Sequence, residues 1–291
     1  MTGPACILDG RFDLAESPVW SVAEQALWFV DINTAALHRF SPGSGRHDNW
    51  PMQQAIGCVA LSATGGPIAA LRDGIYRLDL DGHEHRLLAA APYDPATTRF
   101  NDGGCDRQGR FWAGSMFEPR THADGGLYRL EGTILRQAGI VGGLTTSNGL
   151  AWSPDGRIMY HADTPTCQVH AYDYDTANGS LSNRRLFLDL TGTGERPDGA
   201  TVDSAGNYWV ALYGAGRVAQ FSPEGRRLRD IPLPVKAPTM PCFGGADLRT
   251  LYITTARQKH TAEELARMPL AGGIFAVDVD IPGLPEPLFA G

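Results

Sequence analysis

Apolar and polar residues alternate along this chain in short runs separated by turns, and sustained helical spacing is almost absent. In the segment around 74–80, Tyr76, Leu78 and Leu80 fall on one face and Arg77 and Asp79 on the other. Tyr128 and Leu130 oppose Arg129 and Glu131 in the same way. A period of two is the mark of a half-buried strand. Such strands recur at 36–41, 74–79, 126–131, 168–173, 217–222 and 273–278. Ahead of each stands a more continuously apolar run, at 27–32, 68–73, 111–116, 158–163, 208–213 and 251–256, so the pair of elements occurs six times. The joints are polar and carry Gly, as in Ser41-Pro42-Gly43, Asp81-Gly82, Ser153-Pro154-Asp155-Gly156 and Ser222-Pro223-Glu224-Gly225, which is turn chemistry.

Aligned on the Gly of the first turn, Trp20-Ser21, Leu61-Ser62, Cys105-Asp106, Trp152-Ser153 and Val202-Asp203 become equivalent. Five residues before each Ser or Asp stand Glu16, Gly57, Asn101, Asn148 and Asp198, and a sixth match falls on Thr239. Successive gaps are 41, 44, 47, 50 and 41 residues, the length of a four-stranded propeller blade. The expectation is an all-β fold, a six-bladed β-propeller formed as one domain over residues 1–291. A β/α barrel or doubly wound sheet would need a helix between successive strands, where here only turns intervene. One helix is expected, over 261–268, with Thr261 as N-cap and Glu263 and Glu264 in its first turn. It is a short insertion in the last blade. The segment 5–8, ahead of the first unit, and the segment 286–290 are expected to pair in one sheet and close the ring.

The innermost strand of each propeller blade lines a central channel, so equivalent residues at the starts of those strands face one axis. Glu16, Asn101, Asn148 and Asp198 then supply two carboxylates and two amides, hard oxygen donors suited to Ca²⁺, Mg²⁺ or Mn²⁺. With no His or Cys in the set, zinc is less favoured. Any one of these residues alone reads equally as a turn residue; their shared register argues for a site. Gly57 at the same position is expected to leave an opening. Arg99, two residues before Asn101, is the nearest cation and suits a polyhydroxy or anionic substrate. Asp102 is a candidate ligand for a second ion, and Glu118 lies in a loop that forms a candidate binding wall. The loops at 50–56, 117–126 and 256–270 are expected to set substrate preference.

Composition removes several alternatives. A formal net charge of −7 with no Lys/Arg cluster excludes a basic face for nucleic acid. No apolar run reaches the roughly 18–20 residues that span a bilayer, and residues 1–14 lack a signal-peptide pattern. Five scattered Cys without a CxxC spacing read as reduced thiols of a cytoplasmic protein. The eight His show no metal-binding spacing, and His83 and His85 read as solvent-facing hairpin residues. GxSxG, P-loop and GxGxxG fingerprints are missing, which argues against a serine hydrolase, an NTPase and a Rossmann dehydrogenase.

The motifs AESPVW (15–20), RFNDGG (99–104), FWAGSM (111–116), TSNGLAWSPDG (146–156), RPDGATVDSAGNYWVAL (196–212), CFGG (242–245) and AGGIF (271–275) run over nearly the whole chain. In order and spacing they resemble the SMP-30/gluconolactonase/LRE family, which includes regucalcin and bacterial sugar lactonases. The resemblance implies a six-bladed propeller with one divalent metal ion (Ca, Mg, Mn, Fe or Zn) held by Glu16, Asn148 and Asp198. It implies substrate contacts from Arg99 and Asn101. A further substrate-contacting acid of some members aligns with Pro119, and Glu118, one residue earlier, is the candidate here. The implied activity is hydrolysis of a sugar (aldono) lactone by metal-activated water in a monomeric enzyme, with Asp198 as ligand and candidate base. A related metal-dependent esterase, a calcium-binding regulator without turnover and a mere scaffold are the alternatives.

Overall fold

Strands apolar at every position belong where both faces are covered, and the second strand of each repeat lies in such a place. Ala26–Asp31 and Ile68–Leu71 are buried throughout; Phe111–Phe117 and Tyr208–Tyr213 are buried except at their last residue. The computed structural model describes residues 3–82, 84–140 and 143–291. Its strands form six four-stranded sheets, five of them consecutive in sequence. Their inner strands are Ala15–Ser21, Ile56–Ala60, Thr98–Cys105, Ser147–Trp152 and Arg196–Val202 for blades 1 to 5, and Pro238–Gly244 for blade 6. The all-β six-bladed propeller is therefore present, with blade-to-blade layers as its core. Phe29 and Phe40 of blade 1 pack with Cys242 and Tyr252 of blade 6, and Tyr160 of blade 4 packs with Tyr208 and Val210 of blade 5. Each large side chain buried in these layers contributes about 1.5–3 kcal/mol.

The aligned Ser or Asp after each inner strand has a structural task. Asp203 accepts from the backbone N–H of Ala205 and Asn207 and from Trp209 Nε1 at 2.9 Å. Asp106 takes the backbone N–H groups of Gln108 and Arg110 in the same way. These acids satisfy turn donors that burial would leave unpaired.

The helix is Ala262–Arg267, between the second and third strands of blade 6. Thr261 and Glu264 form a capping box, with the Thr261 hydroxyl accepting from Glu264 N at 3.2 Å and Glu264 accepting from Thr261 N at 3.0 Å. Among the described residues no helix is long and apolar enough to cross a membrane. His83 lies outside the described residues, and His85 is half-buried rather than solvent-facing.

Half of the expected closure is correct. Ala5–Leu8 pairs antiparallel with Ile274–Asp278 as the outer strand of blade 6. The C-terminal segment does not join it. Phe289 N donates to Leu61 O at 2.8 Å, and Ala290 N to Gly109 O at 3.0 Å. Pro282, Pro285 and Pro287 lack the N–H groups that a regular strand needs, so this stretch crosses the end of the channel instead. Glu286 and Pro287 line a small void there together with Ala60, Cys105 and Trp152.

Deleting residues 1–8 opens the edge of Ile274–Asp278. The expected result is a Tm lower by roughly 5 °C, for a lost pairing of about 2 kcal/mol, with concentration-dependent association. Calorimetry and light scattering read both, and an unchanged Tm would show that the ring does not depend on this strand.

Candidate metal centre

All six inner strands break register near their starts. The shifts lie between Glu16 and Val19, Ile56 and Cys58, Phe100 and Gly103, Asn148 and Ala151, Pro197 and Ala200, and Pro238 and Met240. A bulge of this kind bends a strand and re-aims a side chain. Ser17 and Gly149, which follow Glu16 and Asn148, take positive φ of 49° and 64°. At Gly149 a Cβ would also stand 2.6 Å from the Tyr208 hydroxyl, so a side chain is excluded by backbone and by space.

The bulges bring Glu16, Asn101, Asn148 and Asp198 to the floor of one cavity of about 440 Å³. Each is 3–8% exposed. A larger groove of about 1000 Å³ between blades 1 and 2 is lined by Trp28, Arg39, Trp50 and Arg77. It is an open surface without a converging set of acids and amides.

A directional chain of hydrogen bonds crosses the floor. Arginine can only donate, so Arg99 Nη1, 2.8 Å from Asn101 Oδ1, fixes that amide. Asn101 Nδ2 then donates to Ser147 O at 3.0 Å and to Asn148 Oδ1 at 2.8 Å. Asn148 Nδ2 donates to Thr164 Oγ1 at 2.7 Å, and the Thr164 hydroxyl to Pro197 O at 2.8 Å. Asn148 therefore keeps Oδ1, with one lone pair spare, as its acceptor. Asn101 spends both amide hydrogens on holding blade 4.

The acids contrast with this satisfied chain. Glu16 accepts from Ser17 N at 3.0 Å. Asp198, 7% exposed, has no hydrogen-bond donor or ion-pair partner within contact distance among the described residues. Burial first, then the charges of Asp198 and Asp102, push the Glu16 carboxyl well above its usual range. Burial and Asp102 do the same to Asp198, while Arg120, Arg99 and Lys259 pull it down. Asp102 itself is pushed up to about 7 by burial, against the backbone N–H groups that it accepts. Its Oδ2 takes Leu150 N at 2.9 Å, and its Oδ1 is buried without a partner.

Two carboxylates with no cation in contact, plus an amide oxygen held in place, fit a hard divalent cation. Among the described residues no three His, Cys, Asp or Glu side chains converge on one point, so a cation here depends on the Asn148 amide. Asp102 does not line the cavity and lies close enough to Glu16 and Asp198 to raise the pKa of both.

Other expectations need correction. Gly57 leaves no opening: a Cβ there would lie 2.5 Å from Phe100 O, so its role is to let the inner strand of blade 3 approach. Thr239 is fully buried and donates to Ala15 O at 2.6 Å, tying blade 6 to blade 1. Residues 50–56 do not line the cavity; Met52 and Ile56 pack between blades. Glu118 is also absent from the lining. Arg72 binds both its oxygens, at 2.7 and 3.2 Å, and Arg99 Nε lies 3.6 Å away. Glu118 thus stands behind Arg99, whose pKa burial lowers to about 10 in spite of Glu118.

Several lining residues were missed. Two residues before each floor position stand Leu14, Arg99, Thr146 and Arg196; all four line the cavity, and of these only Arg99 had been singled out. The period of two along a strand returns them to the same face, so the repeat register already contained this second tier. Arg120, Gln258 and Lys259 come from the loops at 117–126 and 256–270, which were singled out only as segments, while Thr164 opens a short helical turn and Tyr213 ends the strand Tyr208–Tyr213. The buried pair Ser147 Oγ and His161 Nε2, 2.8 Å apart, lies outside the cavity lining. Burial holds His161 neutral, with a pKa of about 3, so the pair is structural.

The sequence profile of the SMP-30/gluconolactonase/LRE-like region matches residues 14–257. A 6-deoxy-6-sulfogluconolactonase of Pseudomonas putida is 46% identical over 287 residues, 98% of each chain. The regucalcin of Oryctolagus cuniculus is 37% identical over 295 residues, again 98% of each. The crystal structure of a calcium-binding protein, regucalcin, from Agrobacterium tumefaciens superposes with a TM-score of 0.95 at 25% identity, covering 100% of this chain and 98% of that one. The chain belongs to the SMP-30/gluconolactonase/LRE-like family.

The raised pKa of Asp102 has a sign. Its folded value of about 7 lies above the usual 3.8, so the folded state keeps a proton that the unfolded chain loses. That stabilisation is complete below about pH 4 and is lost as pH rises through about 7. In chelator, Asp102→Asn is expected to match the wild type near pH 4 and to gain on it as pH rises, by at least on the order of 2 kcal/mol at pH 8. Urea denaturation at the two pH values checks this, and a gap independent of pH would refute it.

Proposed function

We propose that this chain, a lactonase of the carboxylic-ester hydrolase class, opens an aldonolactone with the help of one divalent cation held by Glu16, Asn148 and Asp198. The observation that carries the reading is Asp198, a buried carboxylate without a protein donor, facing a cavity it shares with Glu16 and Asn148. Such a group is stable as an anion only beside a cation. When bound, the ion supplies Lewis acidity for the ester carbonyl and lowers the pKa of water.

The remaining work falls to the chain's own side chains. Arg99 Nη2 makes no hydrogen bond among the described residues, which leaves its N–H groups for a sugar hydroxyl or the ring oxygen. Glu118 and Asn101 hold that guanidinium from two sides. Asn101 and Thr164 fix the Asn148 amide and leave one lone pair of its oxygen spare. Hydrolysis adds water to the carbonyl carbon, breaks the ring C–O bond, and gives the aldonate and one proton. Asp198 is the candidate acceptor of that water proton, since burial raises its affinity for one. Ligation pulls the other way, so Asp198 acts as ligand first and base second. Calcium, magnesium, manganese, iron and zinc are the ions to compare, with oxygen donors favouring the first three.

The relative from Pseudomonas putida is named for a lactone bearing a sulfonate at carbon 6. That compound belongs in the substrate panel beside glucono-, xylono-, arabinono- and galactonolactone. With a pH indicator as readout, chelator is expected to remove ring opening and each added ion to restore it to a different degree. Asp198→Ala should lower kcat/KM by about 10³-fold or more. Thr164→Val should cost about tenfold, through Asn148. Full activity in chelator, or in Asp198→Ala, would remove the cation from the reading.

A further inference from the structure

The chain as a whole is acidic, with a net charge of −7, yet its reaction cavity is not. Four cations line it, Arg99, Arg120, Arg196 and Lys259, against two carboxylates, Glu16 and Asp198. Arg99 is buried and held by Glu118 and Asn101. The other three are exposed at the mouth, and none of their side chains has a hydrogen bond or ion pair within contact distance among the described residues. Like charges gathered without acids between them repel, and they persist only where something is gained.

The cluster is held together from three directions. Arg196 belongs to the inner strand of blade 5, two residues before Asp198. Arg120 follows Pro119 in the turn after Phe117, with φ of 54°, and its N–H bonds Phe117 O at 3.0 Å. Lys259 has φ of 63°, in a loop pinned by the N–H groups of Arg257 and Gln258 on Asp13 O. Left-handed backbone is unfavourable for a long side chain, and such strain gathers at functional sites. Partial burial, then Arg120, Arg99 and Arg196, pull the Lys259 pKa down, against Asp198, which raises it.

The floor positions are the buried end of the cavity and these cations its open end. A lactone ring seated over the floor would have these three side chains between it and solvent. We infer that Arg120, Arg196 and Lys259 form a subsite for a strongly anionic substituent, a sulfonate or a phosphate, on the exocyclic carbon of the sugar lactone. This rests on the lactonase reading above and assigns the specificity within it. Two guanidinium forks and an ammonium suit the oxygens of a tetrahedral anion. A neutral sugar leaves the three charges facing one another.

The test compares gluconolactone with its 6-deoxy-6-sulfo and 6-phospho counterparts, for the wild type and for Arg120→Gln, Arg196→Gln and Lys259→Gln at one fixed divalent ion. The wild type is expected to favour an anionic lactone by at least about tenfold in kcat/KM, with the preference shrinking as salt rises. Each variant should lower the anionic-to-neutral ratio by about tenfold, mainly through KM, in line with a charge-assisted hydrogen bond. A preference for the sulfonate or for the phosphate names the substituent. A wild-type ratio near one, or a ratio that the variants leave unmoved, overturns the subsite; a general folding or catalytic defect would lower both substrates together. Titration calorimetry with 6-sulfogluconate and gluconate separates the two readings. Selective binding of the sulfonate, lost in the variants, without turnover of any lactone would refute the activity and keep the subsite. Equal binding of both acids would refute the subsite.

Discussion

Negative charge buried at the centre of a β ring is the constraint on which this structure depends. Glu16 and Asp198 share the cavity with Asp102 outside its lining; Asp102 raises the cost of ionising both, and Asp198 that of ionising Glu16. An uncompensated carboxylate in such a place costs several kcal/mol. Six blade-to-blade hydrophobic layers, with Trp112, Trp209, Phe29 and Phe275 almost wholly buried, make the ring stiff enough to keep the acids together. A floor poised in this way gains from any divalent cation that neutralises it.

Orientation at the floor comes from Arg99. Because a guanidinium cannot accept, the polarity of every later bond follows, from Asn101 through Asn148 and Thr164 to Pro197 beside Asp198. Three blades are thereby locked in one order, and the Asn148 amide is left with its oxygen as the spare acceptor. Glu118, with Arg72, sets the charge behind Arg99. The placement of Asn148 and Asp198 is thus supported by a line of side chains from blade 2 to blade 5.

Much of this was legible in the residues. The expected strand runs coincide with strands such as Ala36–Ser41, Ile158–Asp163 and Thr250–Thr255, because alternation and apolar runs are local properties. The four floor residues were legible too, since equivalent positions in a closed repeat must meet. Gly57 was misread because its register says nothing about the distance between blades. The C-terminal segment was misread because its prolines allow a strap as readily as an edge strand. Glu118 was placed by its position after a strand, whereas Arg72, far away in sequence, decides where its carboxylate rests.

By itself the sequence determined the number of blades, the register of Glu16, Asn101, Asn148 and Asp198, and the kinship that the motifs carry. These follow from periodicity and spacing along one chain. Only the tertiary structure decided that Asp198 lacks a donor, that Asn101 and Thr164 hold the Asn148 amide, and that Arg120 and Lys259 join Arg196 at the mouth. Those facts depend on distances between segments far apart in the chain, and the path of a loop is set by what it packs against, which no local pattern encodes.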